Sequence, residues 1–242
     1  MTAEVHVYGV LAADDAVKTP AGTRLIARGE VAALVSDGDG GELSAARALR
    51  EHWRILQDVA TQTTVLPIRF GTAMASDEVV VSDFLGPGHD ALRSGIDALA
   101  GKVQLTVKGA YEQEALLRGV IARSPTIARL QAQVAALPEA ASYAKRIQLG
   151  ELVSLEVDRQ READAAFVVE RLEPLAVATR QEAASGLDQA VNAAFLVTRD
   201  GVEAFDGAVA ALGKELEGRI GLRLIGPLPA YSFTPEGAAA WA

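Results

Sequence analysis

The chain has 242 residues, half of them hydrophobic and 23% charged, which is enough apolar content for one large core or two modest ones. It has no cysteine, which excludes disulfides, thiolate zinc sites, iron–sulfur clusters and cysteine nucleophiles. A net charge of -9 disfavours a phosphate-backbone partner, and no apolar run approaches the roughly 20 residues that span a bilayer, so neither nucleic acid nor membrane is expected as a partner.

Met1 leads directly into a strand-like segment without a basic region, a long apolar core and a cleavage site, so the expected compartment is the cytosol. Residues 5–11 and 31–35 read as strands, and Asp37-Gly38-Asp39-Gly40-Gly41 reads as a flexible loop. Residues 44–60 read as a helix capped by Ser44, with Leu49, Trp53 and Leu56 as its buried stripe. Residues 65–70 read as a short strand. Ser76-Asp77-Glu78 opens a helical region that Gly86-Pro87-Gly88 interrupts and that resumes through Leu92, Ile96 and Leu99. Residues 102–108 alternate apolar Val103, Leu105 and Val107 with polar neighbours and complete a four-strand layer close to a ferredoxin-like arrangement.

From about residue 112 to 172 the pattern becomes helical, with Ser124-Pro125 and Leu137-Pro138 dividing it into at least three pieces. The last and longest has apolar positions at Leu149, Leu152, Val153, Ala163, Ala166 and Phe167. Residues 175–180 and 191–199 then read as strands, 201–218 as a helix, and 222–225 as a terminal strand. The expected organisation is α+β with two domains, residues 1–109 and 110–242, the second rich in helix.

The search for chemistry is mostly negative. His6, His52 and His89 fall in three separate elements, without the spacing that puts two imidazoles on one helical face for a metal, and read as structural histidines. The loop at 37–41 lacks the later oxygen ligands of a calcium site. There is no phosphate-binding glycine loop, no dinucleotide turn and no nucleophile elbow, so no cofactor and no metal are expected. Arg118, Arg123, Arg129, Lys145 and Arg146 give the middle of the chain a basic bias, diluted by glutamates at 112, 114 and 139; they read as a solvated helical face or a protein-binding patch.

The least ordinary stretch is Val65-Leu66-Pro67-Ile68-Arg69-Phe70-Gly71-Thr72, which sets proline, arginine and glycine into an apolar strand. Strict alternation would put Leu66, Ile68 and Phe70 on one face and Val65, Pro67, Arg69 and Gly71 on the other. Arg69 then reads either as a strand residue paired with a neighbouring carboxylate or as an anchor for a partner. A second stretch, Leu224-Ile225-Gly226-Pro227-Leu228-Pro229-Ala230-Tyr231-Ser232-Phe233, forms a rigid, extended ending in which Tyr231 and Phe233 are expected to seal the C-terminal core.

Together with Asn192-Ala193-Ala194-Phe195-Leu196-Val197 and the opening Val5-His6-Val7-Tyr8-Gly9-Val10, these segments resemble the gas vesicle protein F and L family along most of the chain. Pro67, Phe70, Gly71, Phe195, Gly226, Pro227, Tyr231 and Phe233 carry the resemblance. Leu228 and Ala230 depart from it, where many members have Trp and Pro. The resemblance implies an N-terminal ferredoxin-like domain, a C-terminal domain of helices with a second small sheet, and a non-enzymatic accessory role in gas vesicle assembly. It also implies the small hydrophobic shell protein, gas vesicle protein A, as partner, whose aggregation the chain would limit or whose assembly it would nucleate, with other vesicle accessory proteins as further partners. Arg69, Arg118, Arg123, Arg129 and Arg146 are the candidate protein-binding residues. A regulatory or scaffolding module, or a small-ligand enzyme with an inter-domain cleft, are the alternatives.

Overall fold

The computed structural model describes residues 4–14, 16–38, 44–182, 186 and 188–234. Its strands are β1 (Val5–Ala12), β2 (Thr23–Arg28), β3 (Val31–Asp37), β4 (Leu66–Pro67), β5 (Ala73–Met74), β6 (Lys102–Tyr111), β7 (Ala178–Gln181), β8 (Gln189–Thr198) and β9 (Ile220–Leu228). Its helices are α1 (Ala45–Ala60), α2 (Asp77–Val79), α3 (Gly86–Leu99), α4 (Gln113–Arg123), α5 (Pro125–Ala135), α6 (Glu139–Leu172) and α7 (Val202–Glu215). The α+β class is as expected: two small antiparallel sheets, in the orders β2-β3-β1-β4, with β5 also on β1, and β7-β8-β6-β9.

The described residues divide into two compact units. One comprises the residues up to Leu105, Leu196–Arg199 and those from Gly226 onward; the other comprises Thr106–Phe195 and Asp200–Ile225.

The first unit is organised by β1, which pairs antiparallel with β3 on one side and with β4 and β5 on the other. Both faces of this sheet are covered. Val5, Val7 and Val10 of β1, with Val31, Ala33 and Val35 of β3, pack with Phe84, Leu85, Leu92, Ile96 and Leu99. Leu11 and Leu34 pack with Ile55, Leu56 and Val59 of α1. A register shift between Val7 and Gly9 opposite β3 changes the phase of the alternation, so that Val10 joins Val5 and Val7 in one cluster and Leu11 faces the other.

Several expectations are corrected here. β2 was not anticipated: its consecutive Leu25 and Ile26, flanked by Arg24 and Arg28, break alternation, because it is a half-buried edge strand. The α1 stripe is rotated by one position, with His52, Ile55, Leu56 and Val59 buried and Leu49 46% exposed. Ser44 sits at the N-cap of α1, yet its side chain makes no capping bond, whereas the Ser76 hydroxyl accepts from the Val79 amide at 3.4 Å. Gly86-Pro87-Gly88 does not interrupt the helical run. A π-helical stretch, Val80–Leu85, joins α2 to α3: the Gly86 amide donates to the Val81 carbonyl in the π pattern, and Pro87, which has no amide to give, stands where the run returns to α-helix. The strand that begins at Lys102 runs on to Tyr111 and pairs in the second sheet rather than the first. Of the loop at 37–41, Asp37 ends β3, and residues 39–41 lie outside the described residues.

In the second unit the helical middle divides as expected, at Ser124-Pro125 and at Pro138, into α4, α5 and α6, which pack together. The Ser124 hydroxyl caps α5 by accepting from the Ile127 amide. The stripe of α6 is again rotated: Asp164, Val168 and Leu172 are buried, Ala163 is exposed, and Phe167 is half-buried with the Arg171 guanidinium 5.4 Å above its ring. Phe195 of β8 and Phe205 of α7 are fully buried, with ring centroids 5.1 Å apart.

Candidate functional site

The unusual stretch at 65–72 does not form one alternating strand. Only Leu66–Pro67 is strand, paired with Val10 and Gly9. The pairing continues through the Ile68 amide, which donates to the Tyr8 carbonyl at 2.9 Å, and the Val7 amide, which donates to the Thr72 carbonyl at 3.0 Å. Between these bonds the chain turns outward: the Thr72 amide and hydroxyl both donate to the Arg69 carbonyl, at 3.3 and 3.0 Å. Gly71, at φ +90, supplies the left-handed residue of that turn. Residues 65–68 are therefore all buried, and Arg69, Phe70 and Gly71 are all exposed, where alternation would have split them between two faces. The proline is tolerated because β4 stands at the edge of its sheet, paired with β1 alone.

Beside this turn, within the first unit, lies a cavity of about 160 Å³ lined by Tyr8, Ser36, Glu51, His52, Phe70 and Gly71, with His6 and Asp37 also on its wall. Its aromatic part is ordered. The His52 ring sits 5.1 Å from that of Tyr8 and 5.5 Å from that of Phe70, the latter edge-on at 83°. The Tyr8 hydroxyl and the Ser36 hydroxyl share a hydrogen bond of 2.8 Å. The Nε2 atom of His52 is hydrogen bonded to the Tyr231 hydroxyl at 2.8 Å. Burial pushes the His52 pKa down; a hydrogen bond to the Ile68 carbonyl acts against this, and the nearby His6 adds to it. Burial likewise pushes the Tyr231 hydroxyl well above the usual phenol range. Around the cavity both acids are ion-paired: Asp37 with Arg24 at 2.8 Å, and Glu51 with Arg54, whose Nη2 and Nε donate to its two oxygens at 2.5 and 3.1 Å.

A second polar cluster, in the second unit, is built on Asp164. This buried carboxylate of α6 accepts from the Tyr111 hydroxyl at 2.7 Å, from Gln160 Nε2 at 2.6 Å and from Arg219 Nη1 at 2.5 Å. Desolvation, followed by the Asp164 hydrogen bond and charge, raises the Tyr111 pKa far above its ordinary value. The cluster ties α6 to the end of β6 and to Arg219, the residue before β9.

The residues singled out from sequence are not brought together. Arg69 is exposed on the turn of the first unit, and Arg118, Arg123, Arg129 and Arg146 are exposed on α4, α5 and α6 of the second. Pro67 is buried in β4 and Phe195 in β8, and Gly226 and Pro227 fall within β9, joined by a cis peptide. Tyr231 and Phe233 do not seal the C-terminal core. Tyr231 packs on the cluster of Leu11, Leu34 and Leu56, and Phe233 on that of Val5, Phe84 and Leu92, so the ending closes on the sheet of the first unit. Sequence reasoning missed Tyr8, Ser36 and Glu51 as neighbours of His52, and it missed Asp164. His52 could have been placed by noticing that it begins a stripe of helical spacing with Ile55, Leu56 and Val59. Nothing local marks Asp164, because two of its partners lie 53 and 55 residues away.

The fold and these clusters define a two-sheet α+β protein whose principal buried polar groups bind structural elements to one another. The chain belongs to the family described as gas vesicle synthesis protein GvpL/GvpF, which matches residues 4–235, and its role is accordingly a gas vesicle one. It is 34% identical over 217 residues to gas vesicle protein F of Streptomyces sp. (strain CB03234), covering 88% of each chain. It is 27% identical over 199 residues to gas vesicle protein L2 of Halobacterium salinarum, covering 78% of this chain and 71% of that protein. The crystal structure of gas vesicle protein GvpF from Anabaena sp. PCC7120 shares the fold with a TM-score of 0.82 at 22% identity, covering 96% of this chain and 98% of that one. The crystal structure of GvpF from Microcystis aeruginosa does so with a TM-score of 0.78 at 20% identity, over 97% and 100%.

Proposed function

We propose that this chain is an accessory protein of gas vesicle assembly that works by binding rather than catalysis, taking hold of the small hydrophobic shell protein, gas vesicle protein A, and limiting its aggregation or helping to nucleate the shell. It would act in the cytoplasm, at the growing vesicle. The observation that carries this reading is the unpartnered apolar surface on the helices of the second unit. Tyr143 and Ile147, one turn apart on α6, are 70% and 47% exposed, and Leu117 on α4 is 52% exposed. Exposed apolar side chains on neighbouring turns mark interaction surfaces, and tyrosine and arginine are enriched in them. Arg118 and Arg146 stand beside these residues in sequence and are exposed as well. A net charge of -9 opposes self-association while such a face is open.

Co-expression of the shell protein with this chain, followed by capture and a measure of the shell protein left soluble, tests the proposal. Capture with increased solubility is expected, and the double variant Tyr143→Ser with Ile147→Ser should weaken it by about tenfold or more, an effect of about 1.4 kcal/mol. Absence of capture across several salt concentrations would overturn the shell protein as partner and direct attention to other vesicle accessory proteins. Undiminished capture by the double variant would move the interface elsewhere, with Arg69→Ala as the next variant.

A further inference from the structure

The cavity beside the Arg69–Thr72 turn has no part in the α4–α6 surface, and its chemistry is of one kind. Its charged lining consists of Asp37 and Glu51, and among the described residues no lysine or arginine lines it. Its aromatic lining consists of Tyr8, Phe70 and the imidazoles of His6 and His52, with Phe70 38% exposed. Carboxylates set beside ring faces favour an organic cation, which gains from the ring quadrupole as well as from the charges. The Arg24 and Arg54 guanidinium groups that pair with the two acids are not part of the cavity wall. A carboxylate has about four acceptor positions, so each acid retains capacity for a second donor.

The turn itself favours a cation that arrives on a polypeptide. Gly71 is exposed, and a Cβ built on it would meet nothing within 4 Å. Bare backbone at the mouth of a cavity lets another backbone approach closely while its side chain reaches inward.

We infer that this cavity receives the guanidinium or ammonium end of an arginine or lysine side chain presented by a partner polypeptide, set against the rings of Phe70 and Tyr8 and hydrogen bonded to the acceptor positions that Asp37 and Glu51 keep beside their arginine partners. The site is separate from the surface proposed for the shell protein, and the two fail independently, because the test uses this protein alone.

The test is an NMR titration of the full chain with capped tripeptides of glycine–arginine–glycine and glycine–lysine–glycine. The norleucine tripeptide serves as neutral control, and methylguanidinium as free cation. The basic tripeptides should shift the signals of Tyr8, His52, Phe70 and Thr72, and the norleucine peptide should bind at least tenfold more weakly. Phe70→Leu should weaken the arginine peptide by about three- to thirtyfold, the range spanned by exposed and desolvated cation–π contacts, and Glu51→Gln, which removes one acceptor charge, should weaken it measurably as well. The Tm of each variant, recorded alongside, should stay near that of the parent, since both side chains reach solvent. Equal binding of the norleucine peptide would overturn the cation assignment. Equal binding of methylguanidinium and the arginine peptide would overturn the polypeptide assignment, and an absence of shifts at these residues would overturn the site.

Discussion

The Nε2 atom of His52, buried on α1, is hydrogen bonded at 2.8 Å to the hydroxyl of Tyr231, 179 residues further along the chain. Tyr231 also donates toward the Ile68 carbonyl at 3.4 Å, so one phenol holds both the helix and the segment carrying the Phe70 turn. The C-terminal segment is thereby a fastening of the first unit. Phe233 packs on the same unit, and the Ser232 amide donates to Gln104 Oε1 at 2.9 Å.

Tyr231→Phe keeps the ring and removes the fastening. A buried imidazole that loses its partner bears the desolvation penalty of an unsatisfied polar group, about 1–3 kcal/mol. Urea unfolding should show a lower midpoint of that size with an unchanged slope. A variant as stable as the parent would show that the bond contributes nothing net.

The same histidine sets a pH dependence. Its folded-state pKa lies below the ordinary value of 6.5, chiefly through burial. The unfolded chain therefore binds a proton that the folded chain resists, and ΔG of unfolding falls as pH drops below about 6.5 toward the folded-state value. Above that window His52 contributes no slope. Stability measured from pH 8 to pH 5 should decline less steeply in His52→Gln than in the parent; parallel profiles would assign the decline to other groups.

Asp164 is a buried carboxylate of the second unit, and Arg219 supplies a counter-charge to it through Nη1. Asp164→Asn leaves the arginine without its counter-charge at a half-buried position. The expected loss is about 3 kcal/mol, the lower end for breaking a buried pair, since Arg219 retains some contact with water. Thermal unfolding read from the second unit's tyrosines should register it. Asp164→Ala should be no milder.

Two serines at helix starts should behave differently. Ser76 accepts from the Val79 amide, so Ser76→Ala should cost about 1 kcal/mol. Ser44 makes no side-chain capping bond, so Ser44→Ala should leave Tm within error of the parent. The paired comparison, in one thermal-melt series, checks both.

The amino-acid sequence by itself determined the local punctuation. Prolines 125 and 138 end and begin helices because they lack an amide donor and exclude the helical conformation in the residue before them, and α4, α5 and α6 divide where they stand. β1 and β3 were legible because apolar runs of strand length lie between turn signals. The motifs around Pro67, Phe195 and Gly226 pointed to the family the whole chain matches.

Only the tertiary structure decided which side of each element is inside. The buried faces of α1 and α6 each lie one position away from the expected stripe; on α6, whose apolar residues are spread round the helix, several registers have nearly equal hydrophobicity and the packing partner selects among them, while α1 has one clear apolar face, through Ile55, Leu56 and Val59, which also carries His52 inside. It also decided that Lys102–Tyr111 joins the second sheet, that Arg69 and Phe70 leave the strand together, and that Tyr231 meets His52. These outcomes rest on contacts between residues far apart in the chain. The driving energies, apolar burial and satisfaction of buried polar groups, appear only once both partners are in place.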